Sequence, residues 1–294
     1  MIITRGDILD MESQMIVSEI FITCVVAGLL LAMTGILMSV RGRRRFRQRR
    51  HELLNAEMDP EWEGILEENF PLYRKMPEEV RRRLGGYVNA FVEEKHFEAC
   101  GGLGQLSDEM LVTVAGQACI LLLNGKFGVF DSLQSIMLYP NAYDVVDSME
   151  RSGFGRKKSR RLGESWSSGS VVLSWAHVMS GPACQNDGRN LVIHEFAHQL
   201  DQSDGAADGA PALFSREEQR KWSGVFRDAY ALHGEYLQRG KKLVIDEYGA
   251  TNPAEFFAVA SETFFERPKK LSLRYPDLYE RLRLFFELDP LQWA

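Results

Sequence analysis

The sequence has few cysteines, and none of them occurs at a spacing typical of a disulfide framework. Cys24, Cys100, Cys119 and Cys184 are far apart and form no Cys-x-x-Cys pair. Small secreted domains that depend on disulfides carry denser cysteine patterns. The sequence therefore excludes a disulfide-stapled scaffold and favours a reducing compartment.

Negative charge exceeds positive charge after residue 50. The first 50 residues hold eight Arg or Lys and four Asp or Glu, and the whole chain has a net charge of −6, so residues 51–294 carry about −10. Proteins that bind nucleic acid non-specifically present clustered positive charge to the phosphates. This acidic balance excludes nucleic acid as the main partner.

One segment near the amino terminus lacks charge altogether. Residues 20–40 contain no Asp, Glu, Lys or Arg, and seven arginines follow within residues 41–50. A helix of that length spans about 31 Å, the thickness of a bilayer core. The charge order predicts a single-pass anchor in the inner (cytoplasmic) membrane, with the amino terminus outside and the remaining chain in the cytoplasm. A cleaved signal peptide would have the opposite charge order.

We expect four segments: a short non-cytoplasmic terminus at 1–19, the membrane helix at 20–40, a basic juxtamembrane linker at 41–59 and one domain at 60–290. In that domain, residues 60–150 are expected to form a helical half and residues 170–290 a catalytic half. Helical periodicity runs from 51 to 89, and Pro71 is expected to end its first part.

Capping and strand signals predict further elements. Ser107 is expected to cap a buried helix that is too short for a second membrane span. Residues 100–104 are predicted as a turn, and residues 135–139 and 170–175 as strands. Residues 151–170 are predicted as a solvated loop, with a docking or flap role for the basic segment 156–161 as the alternative.

The chemistry is concentrated in the segment 191–201. His194 and His198 are four residues apart, so on a helix they lie one turn apart on the same face. Two neutral imidazoles at this spacing hold one zinc ion and leave coordination positions open, and Glu195 can act as general base toward a metal-bound water. The alternative is a buried amphipathic helix that happens to carry two histidines.

Catalytic zinc usually has three protein ligands, and three carboxylates are candidates for the third. Asp204 follows His198 by six residues, but Asp201 stands where such an arrangement needs a glycine. Glu255 and Glu262 are seven residues apart and share one face of an otherwise apolar helix. A carboxylate in such surroundings is costly unless it binds a metal or a hydrogen-bond partner. Spacing alone leaves the choice between these two open.

The predicted strand 170–175 lies just upstream of the histidine helix. Its end, at Ser174 and Trp175, is expected to offer a sheet edge on which an extended peptide substrate can lie. His177 follows two residues later and is expected to be structural or exposed rather than a ligand.

Three motifs occur in order: Val171-Val172-Leu173-Ser174-Trp175, His194-Glu195-Phe196-Ala197-His198-Gln199-Leu200-Asp201, and Tyr248 with Glu255-Phe256-Phe257 and Ser261-Glu262. With Ser107-Asp108-Glu109-Met110 and Gln117-Ala118-Cys119 further upstream, they make the chain resemble the Mlc titration factor A family of zinc peptidases. The catalytic region of that family is similar to the metalloprotease domain of anthrax lethal factor. The resemblance covers residues 60–290.

The resemblance implies a mostly helical α+β, zincin-type metallopeptidase domain with a small sheet, here preceded by one transmembrane helix. It implies one zinc ion held by His194, His198 and Glu255. It also implies that Glu195 is the general base and that Tyr248, seven residues before Glu255, stabilises the oxyanion.

By the same resemblance, Glu262 and Asp201 become residues that orient the ligands. The implied function is hydrolysis of peptide or protein substrates. The alternatives are a zinc-stabilised module that docks a cytoplasmic protein such as a transcriptional regulator, and hydrolysis of other amides or esters. The membrane anchor departs from the soluble founding member of the family, so the regulator partner is not carried over from the resemblance.

Overall fold

The computed structural model describes residues 5–146, 158–161, 163–166, 169–183, 188–212 and 215–293. Side chains are described at residues 28, 30–142, 169–180, 188–212 and 215–293. The chain divides into two compact units, Met1–Glu52 and Leu53–Ala294. Within the predicted membrane span at 20–40, the side chains of residues 20–27 and 29 lie outside the described set. In the described part of the chain, no helix combines the length and the apolar character needed to cross a membrane.

The described residues are mostly helical, as predicted. The helices are α1 (Arg5–Asn55), α2 (Pro60–Asn69), α3 (Pro71–Lys75), α4 (Glu78–Glu94), α5 (Asp108–Cys119), α6 (Trp175–Ala183), α7 (Leu191–Asp201), α8 (Arg216–Gln238), α9 (Pro253–Glu266), α10 (Pro268–Arg274) and α11 (Pro276–Phe286). Short 3₁₀ turns occupy Ile120–Leu122, Gln202–Asp204, Glu247–Ala250 and Pro290–Trp293.

The described residues also form six strands. They are β1 (His96–Ala99), β2 (Ser135–Tyr139), β3 (Tyr143–Val146), β4 (Lys158–Arg161), β5 (Gly163–Trp166) and β6 (Ser170–Ser174). One sheet has the order β1-β2-β6-β5, in which the first three strands are parallel and β5 is antiparallel to β6. Strands β3 and β4 form a separate antiparallel pair. The prediction of an α+β fold with a small sheet is confirmed.

The prediction that the strand at 170–175 has a free edge is wrong. Strand β6 pairs along its whole length with β2 and along Ser170–Leu173 with β5, so both of its edges are occupied. Its residues Val171, Val172 and Leu173 are buried, and a continuous apolar run is typical of a central strand covered on both faces. The strand also ends one residue early, because Trp175 begins α6.

Other boundaries differ from the predictions for local reasons. Pro71 ends the first helical run as predicted, because α2 stops at Asn69. It also begins α3, since proline lacks only an N–H that the first turn leaves unpaired anyway. Strand β1 was not predicted, because most of its side chains are polar or exposed. The expected loop at 151–170 contains β4, which pairs with β3 upstream of this segment, and β5, which pairs with the next strand, β6. The cap at Ser107 and the buried helix that follows are confirmed.

Helix α7 packs against α5, α9 and the sheet. Its apolar face is fully buried at Val192, Ile193 and Phe196, as the sequence predicts. The ring of Phe196 lies 5.7 Å from that of Phe91 and 4.9 Å from that of Phe130, measured between centroids. This apolar support under α7 holds its opposite face, which carries the histidines, in a fixed orientation.

Helix α9 packs against α7 on one side and an aromatic cluster on the other. Trp222 of α8 stacks on Phe226 at a centroid distance of 4.1 Å, and it meets Phe257 and Phe285 edge-on at 5.6 and 5.0 Å. Such aromatic pairs add to the free energy gained from burial alone. The cluster thereby packs α8 and α11 against α9, the helix that carries the candidate ligands Glu255 and Glu262.

Candidate metal centre

Helix α7 begins at a side-chain cap that the sequence reading missed. The Oδ1 atom of Asn190 accepts a hydrogen bond from the backbone N–H of Ile193 at 3.0 Å. An asparagine immediately before an apolar helical run is a recognised start signal and could have been found. The cap fixes the first turn of α7, and His194 follows directly after that turn.

Helix α9 begins in the same way. Asn252 caps it by accepting a hydrogen bond from the N–H of Glu255 at 2.9 Å, and Pro253 occupies the first turn. Glu255 therefore stands in the first turn of α9, where a negative side chain interacts favourably with the helix dipole. The hydrogen bond to Asn252 fixes the backbone of Glu255 at the start of the helix.

Three ligand atoms converge between α7 and α9. His194 Nε2 lies 3.1 Å from Glu255 Oε2, His198 Nε2 lies 3.3 Å from the same oxygen, and the two Nε2 atoms are 3.3 Å apart. Ligands about 2.0–2.1 Å from a zinc ion at tetrahedral angles are about 3.3–3.4 Å from one another. The spacing of these three atoms fits a tetrahedral zinc site with one position open.

Electrostatics at the three residues also fit a cation. Burial alone would raise the pKa of Glu255, but the adjacent imidazoles of His194 and His198 outweigh it and hold the pKa well below its usual range. Burial opposes protonation of His194, whereas its contacts with Glu255 and Glu262 raise the pKa of the imidazole well above its ordinary value. The cluster is therefore a place where positive charge is strongly favoured.

Glu262, the other candidate third ligand, holds the opposite edge of His194. Its Oε1 atom is 2.8 Å from His194 Nδ1, and its Oε2 atom accepts a hydrogen bond from the backbone N–H of Asn190 at 2.5 Å. A neutral His194 that donates from Nδ1 presents the lone pair of Nε2 to a metal. Burial raises the pKa of Glu262. The two glutamates thus take different places: Glu255 beside both Nε2 atoms, Glu262 behind one ring.

Glu195 and Tyr248 lie beside this cluster. The Glu195 side chain is buried, and burial raises the pKa of its carboxyl group. Tyr248 is 53% exposed, its ring centroid is 6.0 Å from that of His194, and its hydroxyl donates a hydrogen bond to Glu255 Oε1 at 3.4 Å. A raised pKa suits a group that must take up and release a proton near neutral pH.

A second missed feature holds the turn that carries Tyr248. Asp246 caps this turn by accepting from the N–H of Tyr248 at 3.0 Å through Oδ1, and its Oδ2 atom accepts from the Arg189 guanidinium at 2.6 and 3.0 Å. The Asp-x-Tyr spacing is a capping signal that the sequence offered. Arg189 precedes the cap of α7, so this ion pair links the start of that helix to the tyrosine.

The remaining predicted residues lie elsewhere. Asp204 is exposed in a 3₁₀ turn and accepts a hydrogen bond from Ala206 N, and it is not part of the metal cluster. Asp201 is buried and accepts from Gly209 N at 3.0 Å. Ser174 pairs with Tyr139 of β2 and its Oγ atom is 2.8 Å from His177 Nδ1, whereas Trp175 is not in the strand but opens α6.

His194 and His198 of α7 and Glu255 of α9 form a group that could hold a metal ion, and the buried Glu195 follows the first histidine. The model of the family "Glucose-regulated metallo-peptidase M90" matches residues 43–287. The chain belongs to this metallopeptidase family.

Individual relatives agree with this assignment. An uncharacterized protein of Synechocystis sp. is 35% identical over 246 residues, which are 83% of this chain and 89% of the relative. The Mlc titration factor A of Klebsiella pneumoniae is 33% identical over 247 residues, covering 81% and 89% of the two chains. That of Escherichia coli is 31% identical over 241 residues, covering 79% and 87%. The resemblance to the Mlc titration factor A family is thus confirmed.

Proposed function

We propose that this chain is a zinc-dependent peptidase in which His194, His198 and Glu255 hold the metal. The single observation that carries the proposal is the convergence of His194 Nε2, His198 Nε2 and Glu255 Oε2 within 3.1–3.3 Å of one another. The nitrogen and oxygen donors are those that zinc prefers in hydrolases. Membership of a metallopeptidase family supports the same function.

The residues around the ligands have complementary roles in this proposal. A zinc ion, when bound, supplies Lewis-acid chemistry, which lowers the pKa of water and polarises a carbonyl group. Glu195 takes the proton of the attacking water and returns it to the amine nitrogen of the leaving group. Tyr248 donates a hydrogen bond to the carbonyl oxygen as negative charge develops on it. Glu262 and Asp201 hold the ligand helices in register.

The variant Glu195→Gln tests the mechanism. We expect it to bind zinc like the parent and to lose peptide hydrolysis, because the amide cannot accept the proton of water. Zinc content is measured by atomic emission and hydrolysis with a peptide library, with Glu68→Gln, an exposed glutamate on α2, as the matched control. Parent-level hydrolysis by Glu195→Gln would refute the role of this residue. A parent chain without zinc would refute the site.

We also propose that residues 20–40 anchor the chain in the inner membrane, residues 41–59 form a basic linker and residues 60–290 form a cytoplasmic peptidase domain. The charge order in the sequence supports this arrangement. Large apolar side chains of α1 such as Leu31, Ile36 and Met38 are 73%, 65% and 73% exposed, which is costly in water. Deletion of residues 1–40 should move the protein from the membrane pellet to the soluble fraction. Unchanged fractionation would reject the anchor.

The name of two relatives supports a second candidate function. Proteins called Mlc titration factor A are 33% and 31% identical to this chain. We therefore propose, as the alternative, a zinc-stabilised module that docks a regulator of the Mlc kind with little peptidase activity. Calorimetry measures binding of purified Mlc to the Glu195→Gln variant, and a separate assay measures peptide hydrolysis by the parent. Binding of Mlc without hydrolysis favours the docking module, whereas hydrolysis without binding of Mlc favours the peptidase.

A further inference from the structure

Gly209 lies at a crowded junction of three helices. Its backbone has φ of +80°, a region that L-residues with side chains rarely adopt. A Cβ atom at this position would overlap the backbone carbonyl oxygen of Pro253, in the first turn of α9. The residue is buried. Only glycine satisfies both the conformation and the contact.

Both backbone polar groups of Gly209 are bound by buried side chains from other helices. Its N–H donates to Asp201 Oδ2 at the end of α7, at 3.0 Å, and its carbonyl accepts from Trp222 Nε1 of α8, also at 3.0 Å. Hydrogen bonds between buried groups are expensive to break because the partners are left unsatisfied. Asp201, Gly209 and Trp222 thus form a clamp, named here the Gly209 clamp, that contacts the start of α9.

The clamp is close to two metal-ligand positions along the chain. Asp201 stands three residues after His198, and Pro253 stands two residues before Glu255. The clamp therefore contacts the end of α7, which supplies His198, and the first turn of α9, which supplies Glu255. A shift of the first turn of α9 would move Glu255 Oε2 away from its position 3.3 Å from His198 Nε2.

We infer that Gly209 is a positioning residue for the metal: the Gly209 clamp sets the first turn of α9 against the end of α7 and so places Glu255 for coordination. The inference rests on the proposed zinc site. It requires that a side chain at residue 209 weakens zinc binding by displacing Glu255, while the fold is kept.

The experiment measures zinc affinity of the full chain by competition with a chromophoric chelator, together with the absorption spectrum of the Co²⁺-loaded protein. Gly209→Ala should bind zinc about 10–100-fold more weakly than the parent, the range found when residues that support metal ligands are changed. Its Co²⁺ spectrum should be altered, since the carboxylate ligand is displaced. Asp201→Ala, which removes the acceptor without adding bulk, should shift affinity in the same direction and serves if Gly209→Ala fails to fold.

Two glycines provide matched controls. Gly205, four residues earlier, has φ of +91° but no atom near the position of a Cβ, so Gly205→Ala carries the conformational strain without the collision. Gly86 has ordinary helical φ but its Cβ would overlap Leu54 O, so Gly86→Ala carries the collision away from the ligands. Both should destabilise the fold and leave zinc affinity unchanged.

A double variant tests the route of the effect. In a Glu255→Gln background, Gly209→Ala should cause no additional loss of zinc affinity if it acts through Glu255. Equal zinc affinity of Gly209→Ala and Gly205→Ala, or a loss that persists in the Glu255→Gln background, would overturn the inference. If the parent itself binds no zinc, the proposed function fails instead, so the two failures are distinguishable.

Discussion

Removal of the Glu262 carboxylate should weaken both zinc binding and the fold. In Glu262→Ala the Nδ1–H of His194 and the N–H of Asn190 lose their acceptor, which lies at 2.8 and 2.5 Å respectively. A buried donor left without a partner costs about 1–3 kcal/mol, so two of them cost about 2–6 kcal/mol of unfolding free energy. Burial of the Glu262 carboxylate is itself unfavourable, as its raised pKa indicates, and Glu262→Ala removes this cost. We therefore expect the net loss of unfolding free energy to lie toward the lower end of this range.

The effect on zinc follows from the orientation of His194. Without its acceptor, the imidazole is free to rotate and to carry its proton on Nε2, the atom that must face the metal. We expect zinc affinity to fall about 10–100-fold, which corresponds to about 1.4–2.8 kcal/mol. Glu262→Gln should lose less, because its amide oxygen still accepts one of the two hydrogen bonds.

The assay combines chelator competition for zinc with urea unfolding of the metal-free protein. Ser261→Ala is the control: its hydroxyl is buried on the same helix and donates to Phe257 O at 2.8 Å, away from the ligands. That variant should lose about 1 kcal/mol of stability and no zinc affinity. If Glu262→Ala binds zinc as tightly as Ser261→Ala does, Glu262 does not orient the ligand and the reasoning is refuted.

Three further predictions concern catalysis, pH and metal. Tyr248→Phe should lower kcat about 10²–10³-fold, as loss of one oxyanion donor does; an unchanged kcat in steady-state peptide hydrolysis would exclude this role. Burial raises the pKa of Asp201 from 3.8 to about 6, so the folded state disfavours its ionisation and stability is lost as pH rises through about 6. Asp201→Asn should therefore be more stable than the parent at pH 7 by up to about 3 kcal/mol and equal to it near pH 3, measured by urea unfolding with chelator present; a constant difference would contradict the assignment. Zinc at about 100 times its Kd should raise the free energy of unfolding by about 2.7 kcal/mol, visible as a higher Tm that chelator abolishes, whereas equal Tm values would argue against binding to the folded state.

Much of the site could be predicted because its information is local. The histidine pair and the helix that carries it are visible within a short window, and the proline at the start of α9 is an equally local signal. The different positions of Glu255 and Glu262 around His194 cannot be predicted from the local sequence. Seven residues of helix put both carboxylates on one face, and only the crossing of α9 over α7 brings one to the Nε2 side and the other to the Nδ1 side of His194.

The sheet was harder to predict because the residues of a strand do not show which other strands it pairs with. A run such as Val171-Val172-Leu173 predicts a strand but does not show which strands lie beside it in the sheet. The partner β5 lies in a segment rich in Arg, Ser and Gly whose composition is typical of a loop. The strand β5 forms because it pairs with β6, not because its own residues favour a strand. This pairing makes β6 a central strand where an edge strand was expected.

The placement of the ligands on α7 and α9 has a consequence for the timing of metal capture. Glu255 lies 57 residues beyond His198 in the chain. A growing chain that has released α7 from the ribosome therefore holds two ligands, and the third arrives only after α8 has been made. In the proposed site, complete coordination of the ion is thereby delayed until α8 and the first turn of α9 have been made.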